Sequence, residues 1–153
     1  MTNNLPQTII CDLDGTIALF GDRDPHDAST CAQDGVQASV VEILRRFNDL
    51  DGGITIVTTR DEAFRAPTIE WLEKNNIPFS RMYMRSTGDR RPDHIVKKDI
   101  YLNHILGKLN VLFVLDDRFN VCRMWYGMGL TLLRAGDPTA MQGELTTQAY
   151  AMH

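Results

Sequence analysis

The chain has 153 residues, of which 43% are hydrophobic and 24% charged, and carries a formal net charge of −4. That is the size and balance of one globular domain able to bury a core without disulfide or metal staples. It excludes collagen-like and disordered classes, a bilayer span of roughly 20 apolar residues, and a protein that coats nucleic acid by global charge, while leaving room for a local basic site.

Met1 to Gln7 is polar and short and shows no secretory pattern. Thr8–Cys11 is the first apolar, β-branched run and predicts a buried strand. Val36–Asp49 places Val40, Val41, Leu44 and Phe47 at helical spacing. Ile54–Thr58 is the second strand. Phe64–Lys74 follows as a helix with Ile69 and Leu72 on one face beside Trp71. Arg81–Met84 is a weaker strand and Asp93–Leu106 a helix. Val111–Leu115 is a strand and Asn120–Gly127 a helix, in which Met124 and Trp125 read as packing residues. Leu130–Leu133 closes the series of strands. After Asp137-Pro138 the chain turns polar, and residues 138–153 are expected to form a last helix or a flexible tail. Without repeat or linker, residues 1–153 read as a single domain. Cys11, Cys31 and Cys122 are odd in number and lack metal-ligand spacing, so reduced thiols in a cytosolic compartment are expected.

Continuous apolar strands alternating with helices predict an α/β fold, a Rossmann-like parallel sheet with helices on both faces. Such sheets hold ligands at the carboxyl ends of their strands. Asp12-Leu13-Asp14-Gly15-Thr16 follows the first strand, Thr58-Thr59-Arg60-Asp61 the second, and Asp116-Asp117-Arg118 follows Val111–Leu115. A single Asp-Gly turn is an ordinary loop device. Two acidic motifs, each directly after a buried strand on the ligand edge, make a site. Two carboxylates two residues apart can divide labour, one attacking or binding metal and the other reaching a leaving group. So many negative charges call for a hard cation with oxygen ligands, magnesium above all.

These residues resemble the haloacid dehalogenase superfamily of aspartate-nucleophile phosphatases. Its four motifs would be Asp12 and Asp14, Thr58, Lys97, and Asp116-Asp117. Further segments are similar to the 3′-phosphatase domain of phage polynucleotide kinase-phosphatases. They are Arg23-Asp24-Pro25-His26-Asp27, Asp89-Arg90-Arg91-Pro92-Asp93, Ile95-Val96-Lys97-Lys98-Asp99-Ile100-Tyr101, and Leu115-Asp116-Asp117-Arg118 with Met124-Trp125. His26 stands where that pattern has an aromatic residue. The resemblance runs from about residue 8 to 137. It implies that Asp12 attacks phosphorus and Asp14 is the general acid and base. It implies a Mg2+ ion held by Asp12, Asp117 and the backbone carbonyl of Asp14. Asp116 is then an alternate ligand, or orients Lys97 or a metal-bound water. Thr58 would donate to a phosphate oxygen, and Lys97 would neutralise the phosphate and hold Asp12. Arg60 would clamp the phosphoryl group or flanking backbone, with Arg23 beside the substrate. Gly15 would let the backbone approach the phosphate, and Thr16 would cap or hydrogen-bond nearby. Asp93 is either a helix N-cap or a holder of Arg60 or Lys97. Lys98 reads as a solvated helix residue and His104 as a core or surface histidine.

About twenty residues separate Thr16 from the helix near Val36, room for a flap rather than a cap domain, so an open site is expected. Arg81, Arg85, Arg90, Arg91, Lys97 and Lys98 face only Asp89 and Asp93 in one stretch. That island is either a track for a nucleic-acid backbone or a solvated loop. No G-x-x-x-x-G-K-[ST] loop occurs, so a phosphatase without a kinase domain is expected. The expected substrates are 3′-phosphorylated DNA or RNA ends, in the cytoplasm of a bacterial or phage-infected cell, with no membrane partner. The alternatives are a nucleotidase or small-phosphoester phosphatase of the same chemistry, and a non-catalytic phosphoryl-binding module.

Overall fold

The computed structural model describes residues 4–136. The tail expected over 138–153 lies outside the described residues. Five parallel strands form one sheet in the order β5-β4-β1-β6-β7. They are β1 (Gln7–Cys11), β4 (Ile54–Asp61), β5 (Arg81–Arg85), β6 (Asn110–Asp116) and β7 (Leu132–Arg134). Two short antiparallel strands, β2 (Ala18–Leu19) and β3 (Gly35–Val36), pair outside it. The helices are α1 (Ala38–Arg46), α2 (Arg65–Lys74), α3 (Asp93–Ile100) and α4 (Phe119–Gly127).

Period-two alternation along the strands sorts the core into two layers. Ile9, Cys11, Ile54, Ile56, Met82, Met84 and Leu115 point to one face. There they meet Val40, Val41 and Leu44 of α1 and Trp71 and Leu72 of α2. Ile10, Val57 and Val114 point to the other and meet Val96 and Ile100 of α3 and Val121 and Trp125 of α4. Both faces are thus covered, which is why the strands read as unbroken apolar runs. Among the described residues no helix is long and apolar enough to cross a membrane.

Three boundaries differ from the sequence reading. Val36 is not helical; it pairs with Ala18 in the β2–β3 hairpin. That hairpin ties the base of the flap between residues 17 and 36, and Trp71 Nε1 donates to the Asp34 carbonyl at 3.0 Å to hold it against α2. The helix beginning at Asp93 keeps α geometry only to Ile100 and continues as a π-type turn over Tyr101–Ile105. The last strand is displaced to Leu132–Arg134, since it pairs with Val114–Asp116 rather than with the earlier part of β6.

Replacing Ile10, fully buried in β1, by alanine is expected to lower unfolding free energy by about 2–5 kcal/mol. Leu133→Ala, at a half-exposed position, should change it by less than about 0.5 kcal/mol. Urea unfolding of both variants checks the layer assignment.

Candidate active site

Asp12 follows β1, Asp116 ends β6, and Lys97 reaches both from the buried face of α3. The Lys97 Nζ donates to Asp12 Oδ1 and to Asp116 Oδ2, each at 2.7 Å. The second Asp12 oxygen accepts from Thr16 Oγ1 at 3.0 Å. Asp116 is further fixed by the Asp117 backbone N–H at 2.9 Å and by the indole N–H of Trp125 at 3.0 Å. Trp125 is therefore more than the packing residue its helical spacing implies; one polar atom on a core side chain leaves no periodic signal. Burial alone would lower the Lys97 pKa, but the Asp116 and Asp12 carboxylates outweigh it and hold it above its ordinary value. Burial pushes the Asp12 carboxyl well up; Lys97 opposes this and the Asp116 and Asp117 charges add to it.

Asp12, Asp116 and Asp117 each bring one carboxylate oxygen within 4.8 Å of the others. Burial, with Asp116 next to it, raises the Asp117 pKa as well. Asp117 Oδ1 is buried and has no hydrogen-bond partner among the described residues. A buried anionic oxygen without a donor is unfavourable, and an all-oxygen donor set is what a hard divalent cation selects. These residues fit Mg2+. Gly15 has φ +85°, and a Cβ there would lie 2.2 Å from Asp117 Oδ2. The glycine expected to make room for phosphate is needed here to make room for Asp117.

A second ion-pair cluster surrounds Asp14. Arg60 approaches it with Nε 3.1 Å from Oδ2 and Nη2 2.6 Å from Oδ1, and Arg23 Nη2 adds a bond of 2.9 Å to Oδ1. Asp34 accepts from Arg23 Nε and Nη2 at 2.9 and 2.8 Å, and from Arg60 Nη2 at 3.3 Å. Arg60 also donates to Thr68 Oγ1 at 2.9 Å. Both arginines thus meet carboxylates of this chain, and Arg60 also lines the cavity beside Asp12 and Thr58. Asp34 was not among the expected residues. It lies in a flap without periodicity, and nothing local marks it as the partner of two distant arginines.

The basic stretch is largely engaged internally. Arg85 is buried and donates to the carbonyls of Thr59, Asp89 and Arg91 at 3.0, 3.0 and 2.8 Å and to Asp93 Oδ1 at 2.6 Å. Its bond to Thr59 bridges the irregular register between β4 and β5. Arg91 pairs with Asp89 and Asp99. Arg81 donates to the Gly52 carbonyl at the opposite end of the sheet. Arg85 and Arg91 thus brace the loop through internal bonds, Arg90 is exposed, and all three line the cleft beside the site. Asp93 makes no capping bond and holds neither Arg60 nor Lys97; it pairs with Arg85 and Arg118.

Asp12, Asp14, Thr58, Arg60, Lys97 and Arg118 line a small cavity roofed by Pro25 and His26 of the flap. The chemical end of the site is thus narrower than expected. A cleft of about 660 Å³ adjoins it, lined by Pro25, His26, Thr59, Asp61 and the loop from Gly88 to Asp93. Below the site, Cys11 Sγ donates to the Asp12 carbonyl at 3.3 Å. All three thiols are free and buried. Burial raises the pKa of each, with Cys122 pushed up to about 12.

Residues 6–138 match the model of the polynucleotide kinase PNKP phosphatase domain family. A protein named as a bifunctional polynucleotide kinase/RNA ligase of Autographa californica nuclear polyhedrosis virus is 35% identical over 126 residues, which are 80% of this chain and 18% of that protein. A chain of the Pnkp1/Rnl/Hen1 complex superposes with a TM-score of 0.83 at 39% identity, covering 88% of this chain and 48% of the other. A chain of the Pnkp1/Rnl/Hen1 RNA repair complex gives 0.82 at 39% identity, covering 87% and 44%. This chain thus spans less than half the length of these relatives. It belongs to the polynucleotide kinase PNKP phosphatase domain family and has the haloacid dehalogenase-like fold.

Lys97→Met would leave Asp12 and Asp116 buried without their cation. It is expected to cost about 3–5 kcal/mol of stability in urea unfolding. A loss below about 1 kcal/mol would show that the ammonium is not the element binding these strands to α3.

Proposed function

We propose that this phosphatase domain removes terminal 3′-phosphates from polynucleotides through a phosphoryl group carried transiently on Asp12, and that it uses magnesium. The observation that carries this reading is the setting of Asp12. Its carboxylate sits at the ligand edge of the sheet, held by Lys97 and Thr16, beside the cavity that Thr58 and Asp14 also line. Family membership supports the chemistry, and the adjoining cleft supports a substrate with a body larger than a metabolite.

In this reading an Asp12 oxygen attacks phosphorus as the bond to the ester oxygen breaks. Asp14 leaves its Arg23 and Arg60 contacts, picks up a proton from solvent and passes it to the leaving oxygen, then takes one back from the water that hydrolyses the acyl phosphate. Thr58 donates its hydroxyl proton to a phosphoryl oxygen, and Lys97 keeps Asp12 oriented. Asp12, Asp117 and the Asp14 backbone carbonyl would hold the magnesium. When bound, the ion offsets repulsion between the nucleophile and a dianionic phosphate. Asp34 positions the two arginines that retain Asp14.

The internal pairing of Arg85 and Arg91 favours a second reading, a small phosphoester as the natural substrate. Purified protein assayed with magnesium on a 3′-phosphorylated oligonucleotide, its 5′-phosphorylated counterpart and mononucleotides separates the two. Preference for mononucleotides would replace the first reading with the second.

Asp12→Asn is expected to lower kcat by more than about a thousandfold while the thermal midpoint stays that of a folded protein. An active Asp12→Asn enzyme would remove the proposed nucleophile. Excess chelator should abolish turnover, added Mg2+ should restore it, and Asp117→Ala should raise the Mg2+ concentration needed at half-maximal rate. Undiminished rates in chelator would eliminate the metal from the reading.

A further inference from the structure

A second surface beside the site carries aromatic and basic groups together. Phe119 opens α4 directly after Arg118, which lines the catalytic cavity. Phe119 is 51% exposed. The guanidinium carbons of Arg123 and Arg134 each lie 5.9 Å from its ring centroid, within cation–π range. Arg134 Nε also donates to the Asp117 carbonyl at 2.8 Å, tying this stack to a residue of the acidic cluster. Arg123 is exposed and has no ion-pair partner among the described residues. Arg123 also lines a hollow of about 370 Å³ with His94, Asn120 and Met124.

A large aromatic residue left half in water contributes little to the core. With cations over it, at the mouth of a phosphate site, it suits a polyanion whose units have flat faces. Bases stack on aromatic rings with little regard to sequence, and arginine pairs well with phosphate. We propose that Phe119 and Arg123 form a docking platform for the single-stranded nucleic acid leading to the terminal phosphate. A base stacks on the Phe119 ring, and the displaced Arg123 guanidinium meets a backbone phosphate. The inference rests on the polynucleotide reading above and gives the strand a second contact on the α4 side of the site, in addition to the cleft beside the Gly88–Asp93 loop.

The test combines turnover with binding in the full chain. Phe119→Ala is expected to raise KM for a 3′-phosphorylated oligonucleotide about ten- to fiftyfold, the effect of one lost base stack. The rate on glycerol phosphate, which has no base, should stay unchanged. Arg123→Gln should flatten the dependence of log affinity on log salt by about 0.7. Phe119→Trp should retain affinity, and oligonucleotide titration of this variant should quench a fluorescence component that titration of the wild type does not. If the wild type turns over oligonucleotides but Phe119→Ala has an unaltered KM and Phe119→Trp shows no added quenching, the platform is wrong and the polynucleotide reading stands. If oligonucleotide turnover is absent but the added quenching occurs, the platform stands and the 3′-phosphatase reading falls. Absence of both overturns both.

Discussion

A buried ammonium group with a carboxylate at 2.7 Å on either side joins β1, α3 and β6 at one point. Without Lys97, two carboxylates would face each other out of water, and neither strand end could hold its acid there. The same bonds that close the fold therefore set the catalytic edge. Asp116 is fixed in turn by an indole and a backbone N–H, so its geometry is determined by α4 as well as by the sheet. This nested support is characteristic of charged groups that must be both buried and oriented.

The Asp14 cluster solves the complementary problem on the other side of Asp12. Two arginines and two aspartates, formally neutral as a set, are packed at side-chain exposures of 14% or less. Each arginine touches both carboxylates, so no charge is left alone. Because Arg60 belongs to β4 and Asp34 to the flap, the cluster ties the flap to the sheet. The position of the flap and the freedom of Asp14 are thereby coupled through the same four side chains.

Much of this was legible in the sequence for a physical reason. A parallel sheet covered on both faces must be apolar throughout, so Thr8–Cys11, Ile54–Thr58 and Val111–Leu115 declare themselves, and their acidic ends follow. What sequence spacing does not encode is pairing across space. Arg85 and Arg91 read as free cations because their partners are backbone carbonyls and acids reached only after the loop folds. Asp34 and the indole of Trp125 were missed for the same reason. Val36 lost its helical assignment to a cross-strand partner, Ala18, eighteen positions away. Phe119 stands just before the expected helix Asn120–Gly127, and nothing in its neighbours shows that the residue is exposed.

The three buried thiols lie in three different parts of the molecule: Cys11 in β1 beneath Asp12, Cys31 in the flap, and Cys122 in α4. Held protonated and out of solvent, they are poor nucleophiles as long as their surroundings stay closed. Each can be alkylated only when its own segment opens, so the three modification rates report three separate opening equilibria. The molecule thus contains its own set of clocks. Flap excursions mark Cys31 alone, release of α4 marks Cys122, and labelling of Cys11 keeps time for the unfolding of the sheet itself.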